Sequence, residues 1–217
     1  LMASGGAADV HENPDASQLD EDEMRAAVVE ARKAGVRVAV HVHGEGAMVA
    51  SLRAGVDTLE HATFLTPKVV DLLRETGAAV VPTFAVYKRI AEDAAHLPLA
   101  QRNNARRVFE AKGPAFIEAA RQGVRFGVGT DAGSYYPPGG LAQEMELMAG
   151  TGLTNREVLL AATDVNAGLL GLEHQIGTLE VGKLADAVVL QADPLTNLGA
   201  LRSIHCVMKA GDLYSPS

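Results

Sequence analysis

Four valines, at positions 36, 38, 40 and 42, alternate with Arg37, Ala39, His41 and His43. This period of two predicts a β-strand with one bulky apolar face to pack on helices and an opposite face that ends in histidine. Upstream, residues 20–34 carry acidic side chains first and basic ones last. Gly35 follows them, and Asp20 and Glu23 have the spacing of a capping box, so this stretch predicts a helix. The same unit then recurs: a helix over 46–54, a short strand ending at Glu60 and His61, a helix over 66–76 stopped by Gly77, and a buried strand over 78–83. A long helical region over 100–122, interrupted by Pro98 and Pro114, leads to a strand over 124–131, and two or three helices fill 141–171.

Strands that alternate with helices need crossover connections, and therefore pair in parallel. After Ile176 the rhythm changes to short β segments punctuated by glycine, at 177–183, 187–190 and 204–208. Asp193, Pro194 and Leu195 form a turn signal, and Gly211 marks another. The chain is accordingly read as an α/β unit over 1–175 and a small β unit over 176–217.

Successive strands end on side chains suited to a metal: His41 or His43, then His61, then Asp131. In parallel α/β folds the carboxyl ends of the strands gather at one rim, so ligands far apart in sequence meet in space. Alternation turns His41 inward with Ala39, and Asp131 inward with Gly127 and Gly129. The His61 strand fits less cleanly, because Glu60 would then fall on the helix-facing side. Taken singly, a histidine at a strand end is more often a hydrogen-bonding core residue, and an Asp after Gly-Thr is often a turn or cap. His11, His96, His174 and His205 have no spaced partner and read as surface or structural residues.

Composition narrows the chemistry. With 217 residues, 47% of them hydrophobic and 4% aromatic, the chain is neither a disordered tail nor a fibre, and it is long enough to bury a sizeable core. A net charge of −8 argues against nucleic acid and anionic membranes as partners. The single Cys206 offers neither a disulfide nor a cysteine metal motif, so any metal falls to histidine and carboxylate. Gly5-Gly6 and Gly139-Gly140 lack the form of phosphate loops, and no serine sits in a nucleophile elbow. No run is long and apolar enough for a membrane span, and residues 1–6 lack the basic flank and apolar stretch of a signal peptide, so the chain reads as soluble; its compartment is left unknown, with a cytoplasmic one favoured.

Several stretches carry a resemblance: Met2-Ala3-Ser4-Gly5-Gly6, V-A-V-H-V-H-G at 38–44, G-V-D-T-L-E-H-A-T at 55–63, V-V-P-T at 80–83, G-V-G-T-D-A-G at 127–133, and G-K-L-A-D-A-V-V-L-Q-A-D-P-L at 182–195. Together they resemble the amidohydrolase superfamily, in the branch of Xaa-Pro dipeptidases, acyl-amino-acid carboxypeptidases and ochratoxin-hydrolysing enzymes. The resemblance implies an α/β fold: the C-terminal half of a distorted (β/α)8 TIM barrel, strands five to eight, with part of a small β-sandwich. It implies His41 and His61 as ligands of one metal and Asp131 as ligand of another and as the proton-transfer group. His43 and Tyr87 would contact substrate, Tyr87 as an oxyanion donor, with Lys88 and Arg89 as candidates for a substrate carboxylate.

The cofactor implied is zinc, as two ions bridged by a carboxylated lysine expected just before Leu1. That lysine and an earlier H-x-H pair are absent here, so the resemblance implies a piece that needs a missing N-terminal half for activity. Half a barrel would leave the strand at 36–43 with an unpaired edge. The expected partners are that half, a small-molecule or dipeptide-like substrate, and further copies in a homo-oligomer when complete. The expected reaction is metal-dependent hydrolysis of an amide bond. A single-metal deaminase or cyclic-imide hydrolase, and a non-catalytic fragment without metal, are the alternatives. The branch's loop His-Gly is Pro138-Gly139 here, followed by Ala142 and Glu144, which puts in doubt the transfer of any relative's substrate.

Overall fold

In the computed structural model, residues 1–7, 11–92 and 95–215 are described; residues 8–10, 93–94 and 216–217 of the two predicted units lie outside the described residues. Helix α1 (Glu21–Lys33) starts at the predicted capping box. The Asp20 carboxylate accepts from the Glu23 amide at 2.9 Å, and the Glu23 carboxylate accepts from the Asp20 amide at 2.9 Å. Strand β1 (Ala39–Val42), α2 (Glu45–Ala54), β2 (Thr58–His61), α3 (Pro67–Thr76) and β3 (Ala79–Val81) follow in the expected alternation. With β4 (Arg125–Phe126) the strands form a parallel sheet in the order β1-β2-β3-β4, and Val42 pairs with His61 and Glu60 with Val81.

One face of the sheet is dry. Val40, Val42, Leu59, Val80 and Phe126 lie there among Met24, Met48, Leu52, Val70 and Leu73 from the helices. The opposite face is open: Arg37 and Ala39 are exposed and Glu60 is half-buried.

Several elements differ from the sequence expectation. Strand β1 does not present a bare edge, because residues 1–4 run along it. The His41 amide donates to the Leu1 carbonyl at 2.9 Å, and the Ala3 amide donates to the His41 carbonyl at 2.9 Å. An unanticipated helix, α4 (Phe84–Glu92), follows β3 directly. Pro98 caps α5 (Leu99–Arg121) as expected for a boundary, but Pro114 sits inside it without ending it.

The strand expected over 124–131 pairs only at Arg125 and Phe126. The Gly127 amide still donates to the Val80 carbonyl at 2.9 Å, and on the edge away from β3 a side chain takes the next backbone groups. Asn166 Oδ1 accepts from the Val128 amide at 3.0 Å, and its Nδ2 donates to the Val128 carbonyl at 2.9 Å. Asn166 begins α8 (Asn166–Leu170), after α6 (Leu141–Gly150), α7 (Asn155–Leu160) and a π-helical turn (Ala161–Val165).

Residues 177–183, expected as a strand, form turns closed by the Lys183 amide on the Glu180 carbonyl. The remaining β segments are present as β5 (Ala187–Leu190) and β6 (Ile204–Lys209). With β7 (Asp212–Tyr214), returned by the turn at Gly211, they make a small antiparallel sheet.

Candidate metal centre

The histidines of β1 and β2 converge. Among the described residues, potential ligand atoms of His41, His43 and His61 lie within 4.8 Å of one another. A cavity of about 340 Å³ is lined by His41, Glu60, His61, Thr83, Gly129 and Asp131, with Leu1 and Met2 at its side. Asp131 thus shares the cavity with His41 and His61 without joining the tight histidine cluster.

Local backbone geometry explains how β2 offers two polar residues to one cavity. Leu59 faces the dry core and Glu60 faces the open side, opposite to the expected orientation. Strict alternation would send His61 back toward the helices. Instead its φ is +72°, a left-handed conformation that turns the side chain into the same cavity. Thr83, after β3, and Asp131, after the β4 segment, have φ of +52° and +54°. Non-glycine residues in this region store of order 1–3 kcal/mol each, and such strain clusters at functional sites. Gly129 provides the room, since a Cβ there would stand 2.7 Å from Val81 Cγ1.

The hydrogen bonds fix what each ring can offer. The Thr83 hydroxyl donates to the Pro82 carbonyl at 2.8 Å, so its oxygen accepts from His61 Nδ1–H at 2.6 Å, and the Nε2 lone pair of His61 is left for another partner. His43 is fully buried and both its nitrogens are engaged, Nδ1 with Thr63 Oγ1 at 2.7 Å and Nε2 with the Tyr87 hydroxyl at 3.3 Å. His41 Nε2, in contrast, is buried without a hydrogen-bond partner. An orphaned buried imidazole nitrogen is costly in a dry site, and a cation would satisfy it.

Electrostatics disfavour the charged imidazoles, and metal ligation requires the neutral form. Burial, reinforced by the Lys112 ammonium and the neighbouring rings, holds His61 and His43 well below the usual histidine range. Burial also lowers His41, against the backbone of Gly5 and the Asp131 carboxylate. Burial raises Asp131, opposed by His41 and Lys112, and raises Glu60, which accepts from Thr58 Oγ1 at 2.6 Å.

Tyr87 is buried on α4, and its phenol is pushed up by burial and then by Asp131. Lys88 is paired with Glu92 at 2.6 Å, and Arg89 is exposed on the same helix. Sequence reasoning did not single out Glu60, Thr63, Thr83 or Lys112. The threonines stand two residues after His61 and at the end of V-V-P-T, where a hydroxyl beside a candidate ligand is the available signal.

Comparison with known proteins places the fold. An ochratoxinase from Aspergillus niger is 29% identical over 221 residues, covering 99% of this chain and 45% of the relative. A crystal structure of a Xaa-Pro dipeptidase with bound methionine in the active site superposes with a TM-score of 0.93 at 31% identity, over 99% of this chain and 53% of that one. A prolidase complexed with N-methylphosphonate-L-proline gives 0.92 at 31% identity, over 100% of this chain and 54% of its own. The chain therefore spans about half the length of the proteins it resembles. Residues 2–214 match the Amidohydrolase family, and the chain belongs to that family.

Proposed function

We propose that this chain supplies metal-binding and proton-transfer groups for hydrolysis of an amide bond in a dipeptide-like or N-acyl-amino-acid substrate, and that it acts together with a complementary barrel segment. The observation that carries the reading is the unpartnered His41 Nε2 beside a His61 ring whose Nδ1 is already taken by Thr83. His41 and His61 would hold the cation, with Asp131 reaching the same cavity. A bound zinc ion supplies Lewis-acid polarisation of the scissile carbonyl and a water of lowered pKa. A second zinc and a carboxylated lysine belong to the complementary segment in this reading.

The chain's own groups then divide the work. Asp131, raised by burial, accepts the proton of the attacking water and returns it to the leaving nitrogen. Tyr87 stays a neutral donor because its phenol is raised; to reach an oxyanion its hydroxyl must leave His43 Nε2. His43, itself buried, bears on substrate by holding that hydroxyl in place before it moves. Similarity to a Xaa-Pro dipeptidase, a prolidase and an ochratoxinase supports the substrate class.

Elemental analysis and turnover of N-acyl-amino acids and Xaa-Pro dipeptides, measured on the assembled enzyme, test this reading. His41→Ala and His61→Ala are expected to lose zinc and activity together. Asp131→Asn is expected to keep at least one zinc while turnover falls by about 10²-fold or more. Undiminished zinc in both histidine variants would overturn the proposal.

A further inference from the structure

Two ionisable side chains are more deeply buried than the site requires. Lys112, on α5, is 2% exposed, and Glu144, on α6, is 0% exposed. Neither is given a role in the proposed chemistry, and no direct ion pair joins them among the described residues. Both grip the same short piece of backbone. Lys112 Nζ donates to the Pro82 carbonyl and lies 4.2 Å from the centroid of the Tyr87 ring. Glu144 Oε1 accepts from the Phe84 amide at 2.8 Å, and Oε2 accepts from the Ala85 amide at 2.6 Å.

Thr83 stands between these grips. It is β-branched and left-handed, a combination that persists only where its surroundings impose it. Its hydroxyl shares the Pro82 carbonyl with Lys112, and the direction of that hydroxyl proton decides which way the His61 proton points. Burial pushes Glu144 up to about 7 and Lys112 down to about 7, each opposed by the other's charge, so the pair sits in a dry environment where contacts to backbone dipoles are strong.

We propose that Lys112 and Glu144 are positioning residues that clamp residues 82–85 from both sides, keep Thr83 left-handed, and so fix His61 as the Nδ1–H tautomer with Nε2 toward the cavity. The clamp stands on these contacts alone. Its consequence for zinc affinity rests on the hydrolase reading.

The test uses the intact protein with metal removed, so the clamp and the hydrolase reading are judged separately. In wild type, ring ¹⁵N shifts are expected to show His61 as one Nδ1–H tautomer. The Phe84 and Ala85 amides are expected to exchange slowly, although the first amides of a helix ordinarily lack partners. Lys112→Met, Glu144→Gln and the double variant, which removes both charges together, are expected to give mixed tautomers and faster exchange at both amides. Thr83→Ser, which keeps the hydroxyl, is expected to retain the tautomer.

Zinc competition on the same variants is expected to show at least tenfold weaker binding than wild type. A cooperatively folded double variant whose His61 remains a single Nδ1–H tautomer would overturn the clamp. So would rapid exchange of Phe84 and Ala85 in wild type, a result that needs no variant to fold. A protein that binds no zinc but shows the tautomer and exchange pattern keeps the clamp and removes the hydrolase reading.

Discussion

Single residues hold the site open by taking conformations their types disfavour. His61, Thr83 and Asp131 all sit at positive φ where strands give way to loops, and each contributes to the cavity. Such strain persists when neighbours over-determine it, and Asn166 is one of those neighbours. It satisfies both backbone groups of Val128, three residues before Asp131. Asn166→Ala should leave an amide and a carbonyl unpaired in a half-buried place and cost about 1–3 kcal/mol. Asn166→Asp should cost more, since a carboxylate would then face the Val128 carbonyl. Denaturant unfolding of both variants checks the order, and two variants as stable as wild type would show that the carboxamide does not bear on the loop.

At the scale of elements, the sequence was legible where one periodicity ruled. The capping box of α1, the valine alternation of β1 and the glycines behind α2 and α3 each place an element or its end, because local chemistry and tertiary packing agree there. His41 was legible as a strand-end residue for the same reason, whereas His61 reaches the cavity through an inverted φ and Asp131 lies beyond the paired part of β4. The rest depended on partners remote in sequence. Asn166, 38 positions downstream, takes the Val128 backbone groups on the edge of β4 away from β3, Glu60 and His61 share a cavity because φ at His61 inverts, and α4 starts on a Glu144 carboxylate 60 positions downstream. No alternation pattern encodes any of these.

Pro114 illustrates the converse, a strong local signal overridden by packing. Phe116 and Ala119 beyond it are buried in the main core and Val108 before it in a second cluster, which holds α5 continuous across the lost amide. Pro114→Ala restores a donor for the Glu110 carbonyl and should raise stability by about 1–2 kcal/mol, less than the roughly 3 kcal/mol propensity difference because the unfolded chain also gains freedom. An unchanged or lower melting temperature would mean that the helix needs the proline's shape.

At the scale of the whole molecule, the exposed surface is larger than that of a compact monomer of this mass. It exposes 11114 Å², whereas a compact protein of 22.7 kDa exposes roughly 9,500 Å². Large apolar side chains are among the exposed residues. Val36 and Leu170 border a cavity of about 760 Å³ on the open face of the parallel sheet. Leu179, Val181, Val188, Leu213 and Tyr214 are exposed on and around the small antiparallel sheet. Contiguous exposed apolar surface drives association, and the unpaired edges of a sheet template it. The net charge of −8 slows such association without covering the apolar face. The 217-residue chain alone should therefore self-associate at micromolar concentration in size-exclusion chromatography and enhance the fluorescence of a hydrophobic dye. Co-expression with a complementary barrel segment should suppress both signals and raise the melting temperature. A chain that stays monomeric, leaves the dye dark and melts cooperatively by itself would show that these faces are stable against water, and the requirement for a partner segment would fall with that result.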